Sequence, residues 1–180
     1  MRSAEPGRRA LLKAGQSLLA AEDLSRLSVN AIAAQANMAK GSFYQHWRSR
    51  SDYIIALHRS FHDNLAESVT GAVADTVPGQ QRLAVAVDTY LDGCLAEPAT
   101  KALLVQARTE VGLGDEVAIR NRQAAETITA DLAAIGWSDP EPIAALLVAA
   151  IAETALAELS TGARREDLRS GVLRLATASK

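Results

Sequence analysis

The sequence predicts an all-α protein of about nine helices: an N-terminal helix-turn-helix head of three helices, followed by a C-terminal helical body. Three observations carry that expectation. Apolar residues recur at i, i+3, i+4 and i+7 along most of the 180 residues, with no convincing strand alternation and no internal repeat. Helix breakers and caps, among them Asn37, Pro98, Gly112, Gly136 and Gly162, cut this pattern into helix-sized lengths. Charge is also partitioned. Residues 1–60 hold nine Lys/Arg against four Asp/Glu, a surplus of five positive charges, whereas the remaining ten basic and seventeen acidic residues leave seven negative charges. A basic end attracts phosphate and an acidic remainder is repelled by it, so the division orients the molecule toward a polyanion.

The first helix opens around Pro6, a residue that suits the first turn, and aligns Leu11, Ala14 and Leu18 before ending near Ala21. Residues 23–27 connect it to a short helix capped by Ser28, in which Val29, Ile32, Ala33 and Ala36 share one face. Asn37 ends that helix, because asparagine tolerates the left-handed conformation of a sharp turn. A third helix follows from about Lys40 to Trp47. There Phe43 and Trp47, four residues apart, pack inward with Met38.

The outer face of this third helix has a definite chemistry. Lys40 offers a mobile cation, Tyr44 a hydroxyl on a rigid ring, and Gln45 both a donor and an acceptor suited to a base edge. Gly41 has no side chain to hold a phosphate away from the free N–H groups of the helix start. Two short helices joined by a tight turn, the second polar outside, make a helix-turn-helix.

Residues 29–36, the turn Asn37–Met38, KGSFYQHW at 40–47 and RSRSDY at 48–53 together resemble the N-terminal signature of TetR/AcrR regulators, over about residues 8 to 60. The resemblance implies a homodimer that binds a palindromic double-stranded operator through residues 1–48 and carries an effector-binding and dimerisation body at 49–180. It gives Ser28, Lys40, Tyr44 and His46 contacts to phosphate or positioning roles, and makes Ser42 and Gln45 the base readers. Phe43 and Trp47 match core positions. Ser49 matches the cap of the fourth helix, with Asp52 completing an aspartate form of the capping box. Ala39 departs from the usual Ser or Thr before the lysine, and Asn37 and Asp23 stand where glycine is frequent.

The body is read as helices over about 50–77, 80–96, 99–111, 115–135, 140–160 and 165–178. The helix from Pro140 is apolar nearly all round and rich in alanine, so it needs cover on several sides. Pairing it and the last helix with their two-fold mates supplies that cover in a four-helix interface. Tyr90, Cys94, Arg108, Asn121 and Trp137 are the candidate lining of a small-molecule effector pocket, since each adds polarity or size to apolar helices. His58 and His62 have a spacing that can bind zinc, but no further ligands are evident, and neither a metal nor a cofactor is expected.

Two other function classes compete with DNA binding. One is a helical scaffold for a protein partner; the other is an enzyme with Cys94 as nucleophile, for which no local signature exists. The longest apolar run, residues 143–152, falls short of the ~20 residues of a bilayer span, and Lys13 and Gln16 interrupt any signal-peptide core. A single cysteine forms no internal disulfide. The expected location is therefore the cytoplasm, with no membrane partner.

Overall fold

Ser28 and Asn37 bracket the first half of the helix-turn-helix as their chemistry dictates. The Ser28 hydroxyl accepts the N–H of Ala31 at 3.1 Å, capping a donor that the helix itself leaves unmet. Asn37 takes a left-handed φ of 53°; its N–H reaches the Ala34 carbonyl, and the N–H of Met38 returns to Ala33 at 2.9 Å. That pair of bonds closes the helix and turns the chain sharply.

The computed structural model describes residues 4–21, 23–97, 99, 103 and 113–177. Among these residues there are eight α-helices and no strand: α1 Ala4–Leu19, α2 Val29–Gln35, α3 Lys40–Tyr44, α4 Arg50–Val73, α5 Gln80–Ala96, α6 Gly114–Ile135, α7 Pro140–Thr161 and α8 Glu166–Thr177. A single 3-10 turn, Leu24–Arg26, precedes α2. The helix expected over 99–111 lies outside the described residues, apart from the buried Ala99 and Leu103. Two compact units divide the chain: Met1–Phe61 with Glu97–Glu116, and His62–Ala96 with Val117–Lys180.

In the first unit α1, α2 and α3 enclose Leu11, Leu24, Leu27, Ile32 and Phe43, all essentially without solvent contact. The rings of Phe43, Trp47 and Tyr53 form one cluster, with centroids 4.9 to 5.5 Å apart. Tyr53 donates its hydroxyl to the Leu11 carbonyl at 2.7 Å, so a buried polar atom is satisfied while α4 is fixed to α1. Arg50, at the start of α4, donates to the carbonyls of Leu27 and Leu24, which holds the 3-10 connector. Arg59 meets the buried Glu116 at 2.8 Å.

The second unit is organised by α5, α7 and α8, which pack on one another. Its polar groups are buried in pairs. Arg169 meets Glu158, and Arg82 meets Asp131 at 2.6 Å while the N–H of Gly79 bonds the other oxygen of that carboxylate. Helix α7 has the length and composition to cross a bilayer. Near its C-terminal end the buried ion pair of Glu158 with Arg169 ties it to α8.

Several expected boundaries and faces move. The third helix ends at Tyr44 and continues as a turn, yet the N–H of Trp47 still bonds the Phe43 carbonyl and brings Trp47 inward. Helix α4 stops at Val73 instead of Val77, because Val73 is its last buried residue and Pro78 drives Val77 out of helical conformation. Asp139 stands at the N-cap of α7 without a side-chain bond; Pro142, at the third helical position, has no N–H for it to accept. Leu18 is only half-buried while Leu19 is buried; in the last helix, where Leu168, Val172 and Leu175 share the spacing of one inner face, Val172, Ala176 and Arg169 take the interior while Leu175 is 59% exposed. In α6, where the spacing aligns Ala124, Ile128, Leu132 and Ile135, Ile128 and Leu132 are buried but Ala124 is exposed.

Candidate functional site

The outer surface of α3 presents Lys40, Gly41, Tyr44 and Gln45 to solvent, with Ser42 and His46 half-exposed beside them. Phe43 on the opposite face is fully buried, and its edge-on contact with Tyr44, centroids 5.4 Å apart, holds the Tyr44 ring while leaving it 51% exposed. Thus all six residues read from the sequence as the outer face of the recognition helix are at least partly exposed, in α3 or in the turn that follows it. Ser28 lies at the start of α2, where its oxygen already accepts from Ala31; its hydroxyl hydrogen remains able to donate. A Cβ added at Gly41 would meet no atom within 4 Å, so nothing inside the protein requires glycine there.

Arg8 is the residue that sequence reasoning missed on this side. Its guanidinium lies 5.6 Å from the centre of the Trp47 ring, which also neighbours His46 at 5.5 Å. The basic character of residues 8–13 was visible in the sequence, but the ring that holds Arg8 is 39 positions away.

Within the second unit α4, α5, α6 and α7 enclose a cavity of about 170 Å³. Its buried floor consists of Leu65, Val87, Ile128, Val148 and Ile151. Polar and mostly exposed residues of α4 and α6, among them Thr70, Arg120, Asn121, Gln123 and Thr127, border it. Of the five residues read as pocket lining, Tyr90 and Asn121 are present in its wall. Arg108 lies outside the described residues. Trp137 is not in the wall; its indole N–H is committed to the Ala176 carbonyl at 2.7 Å, joining the α6–α7 turn to α8.

Cys94 is not in the wall either. It is buried behind Tyr90, and burial pushes its thiol up to about 12 despite a hydrogen bond from the Tyr90 hydroxyl; Glu158 raises it further and Arg169 opposes this. A buried thiol that stays protonated is a poor nucleophile, so Cys94 is a packing residue. Burial, followed by the neighbouring Cys94, likewise raises the Tyr90 hydroxyl well above its ordinary value. His58 is buried in the first unit and His62 lines the cavity of the second. No group of three metal-ligating side chains occurs among the described residues.

A polar, exposed recognition helix, set on its partner by a left-handed turn, defines a helix-turn-helix DNA-binding protein. Residues 11–57 match the family model of bacterial regulatory proteins, tetR family. Solved structures agree in fold over almost the whole chain. A TetR-like transcriptional regulator from Rhodococcus sp. RHA1 is 20% identical with a TM-score of 0.77, covering 97% of each chain. A tetR-family regulator from Streptomyces coelicolor is 18% identical with a TM-score of 0.71, covering 96% of this chain and 78% of that one. FadR from Bacillus subtilis, crystallised in complex with stearoyl-CoA, is 16% identical with a TM-score of 0.78, covering 94% and 97%. No curated protein sequence matches significantly. Residues 11–57 thus carry the DNA-binding head described by the tetR family model, and the chain as a whole has the fold of the solved tetR-like regulators.

Proposed function

We propose that the protein acts in the cytoplasm as a homodimeric repressor, binding a palindromic operator through residues 1–48 and releasing it when residues 49–180 take up a small-molecule effector. The observation that carries the DNA-facing part is the recognition surface itself. Lys40, Tyr44, Gln45 and Gly41 are exposed together on one short helix whose other face is locked into the core. In this reading Ser28, Lys40, Tyr44 and His46 contact or position phosphates, and Ser42 and Gln45 read base edges. Gly41, which no internal contact requires, lets the backbone approach a phosphate.

Two-fold pairing is supported by the apolar surface left uncovered on α7 and α8. Leu146 is 69% and Leu175 59% exposed, and Ala145 and Ala149 lie bare beside Leu146. A dimer presents two recognition helices, each entering the major groove about 34–36 Å from the other or at a related multiple. Effector control is supported by the cavity of the second unit and by the ligand in the B. subtilis FadR crystal structure. An effector shifts operator affinity only through its differential affinity for the two states, and ~1–3 kcal/mol of coupling changes that affinity about 5- to 150-fold.

Selection of bound sequences from random double-stranded DNA tests this function. An inverted repeat is the expected product. Retention that shows no sequence preference and no fall with rising salt would reject it, because phosphate contacts release counterions.

A further inference from the structure

Resting on the reading that the cavity of the second unit holds the effector, we propose the ligand's chemical class: a small uncharged molecule, one apolar ring or compact branched chain bearing a single neutral polar group. The apolar body sits on the floor and the polar group at the rim.

Size sets the first limit. The cavity of about 170 Å³ is close to the ~150 Å³ apolar cavity known to take a benzene molecule. One ring with a substituent fills such a space. The floor sets the second limit, since Leu65, Val87, Ile128, Val148 and Ile151 are buried and offer no hydrogen bond. Tyr90 adds a ring face there.

Charge decides the rest. Among the described residues, no Asp, Glu or Lys lines the cavity. Arg120, the one arginine of the wall among the described residues, already has the Asp63 carboxylate at 2.6 Å and the Gln123 side-chain oxygen at 3.4 Å. An entering carboxylate would have to displace Asp63 or lie unpaired against an apolar floor, and either course is costly. The rim instead supplies amides and hydroxyls, from Asn121, Gln123, Thr70 and Thr127, which match a hydroxyl, amide or ring N–H. His62 also lines the wall, and the anionic probes reveal any preference it has for a carboxylate.

The test measures thermal unfolding and calorimetric binding of the full chain with four probes: indole, phenol, benzoate and hexanoate. Indole and phenol should raise Tm and bind about tenfold or more tightly than the two carboxylates. Two variants report the location. Ala152→Phe fills the cavity; Ala124→Leu narrows the rim at an exposed position where folding is not at risk. Each should weaken indole by about tenfold. Carboxylates that bind as tightly as indole, and are weakened by Ala124→Leu, would overturn the class while leaving the effector cavity intact. Failure of indole and phenol to bind, or binding that neither variant weakens, would also overturn the proposal. Neutral probes that bind in the cavity and leave operator affinity unchanged would sustain the ligand class and reject the regulatory reading.

Discussion

Arg169 grips Glu158 with two parallel hydrogen bonds inside the second unit: Nε lies 2.6 Å from Oε1 and Nη2 2.7 Å from Oε2, with the side chains 2% and 1% exposed. The same guanidinium reaches Asp88 at 3.1 Å and Asp92 at 2.8 Å, so one residue of α8 binds α5 and α7 together. Removing one partner strands a buried charge, and Arg169→Met should cost about 3–5 kcal/mol in urea unfolding. Converting the pair to Glu158→Leu with Arg169→Met should recover most of that. Burial alone would raise the Glu158 carboxyl, but hydrogen bonds from Arg169 and the Arg165 N–H hold it below its ordinary value. The contribution is therefore complete above the ordinary carboxylate range and fades as pH falls through the lowered value. Below about pH 4 the wild-type midpoint should drop more steeply than that of the double variant.

Gly15 and Tyr53 give a second prediction. A Cβ at Gly15 would lie 2.0 Å from the Tyr53 hydroxyl oxygen and 3.0 Å from Cζ, in the space used by the hydrogen bond to Leu11. Gly15→Ala should destabilise the first unit by about 1–3 kcal/mol. Adding Tyr53→Phe removes the worst contact, so the double variant should recover part of the loss. Equal stability of Gly15→Ala and wild type in denaturant titration would contradict the packing described.

On the recognition surface, variants separate folding from binding. Gly41→Ala places its methyl in open space and should unfold no more easily than wild type, yet lower operator affinity by roughly tenfold. Lys40→Ala should weaken binding to all sequences and reduce the salt slope by about one. Gln45→Ala should relax preference at one or two base positions, and an unchanged selected motif would remove it from base reading.

Leu146→Glu with Leu175→Glu should abolish dimerisation, since both side chains are exposed on the uncovered face of α7 and α8. Sedimentation at micromolar concentration reads the outcome. A monomeric wild type would reject the dimer, and a double variant that stays dimeric would move the interface elsewhere.

Cys94 should resist iodoacetamide in the folded protein and react on unfolding. Burial closes the thiol to the reagent and keeps it protonated at neutral pH.

Local chemistry was legible in the sequence wherever a residue acts on its immediate neighbours. Ser28 caps α2, the Ser49 hydroxyl accepts from Asp52 N–H at 3.1 Å, Asn37 turns the chain, and Phe43 with Trp47 faces inward. What was not legible depends on partners far along the chain. Trp137 looks like pocket lining until Ala176, 39 residues later, takes its N–H. Arg169 looks like an ordinary surface arginine until Glu158, Asp88 and Asp92 surround it. Cavity residues such as Val69 and Ile151 carry no polar signature at all; their role comes from four helices failing to fill one space.

Four of the residues around that space, Ala66, Ala86, Ala124 and Ala152, are alanines on four different helices. Every alanine codon lies one base change from valine, serine, threonine and glycine. Each wall of the cavity can thus gain or lose a methyl or a hydroxyl by a single mutation, in a unit whose compact core is separate from that of the DNA-reading helices. On the proposed reading, descendants of this gene have a short mutational route to new effectors with an unchanged operator, and replacing Asp63 alone would free the Arg120 guanidinium for an anionic one.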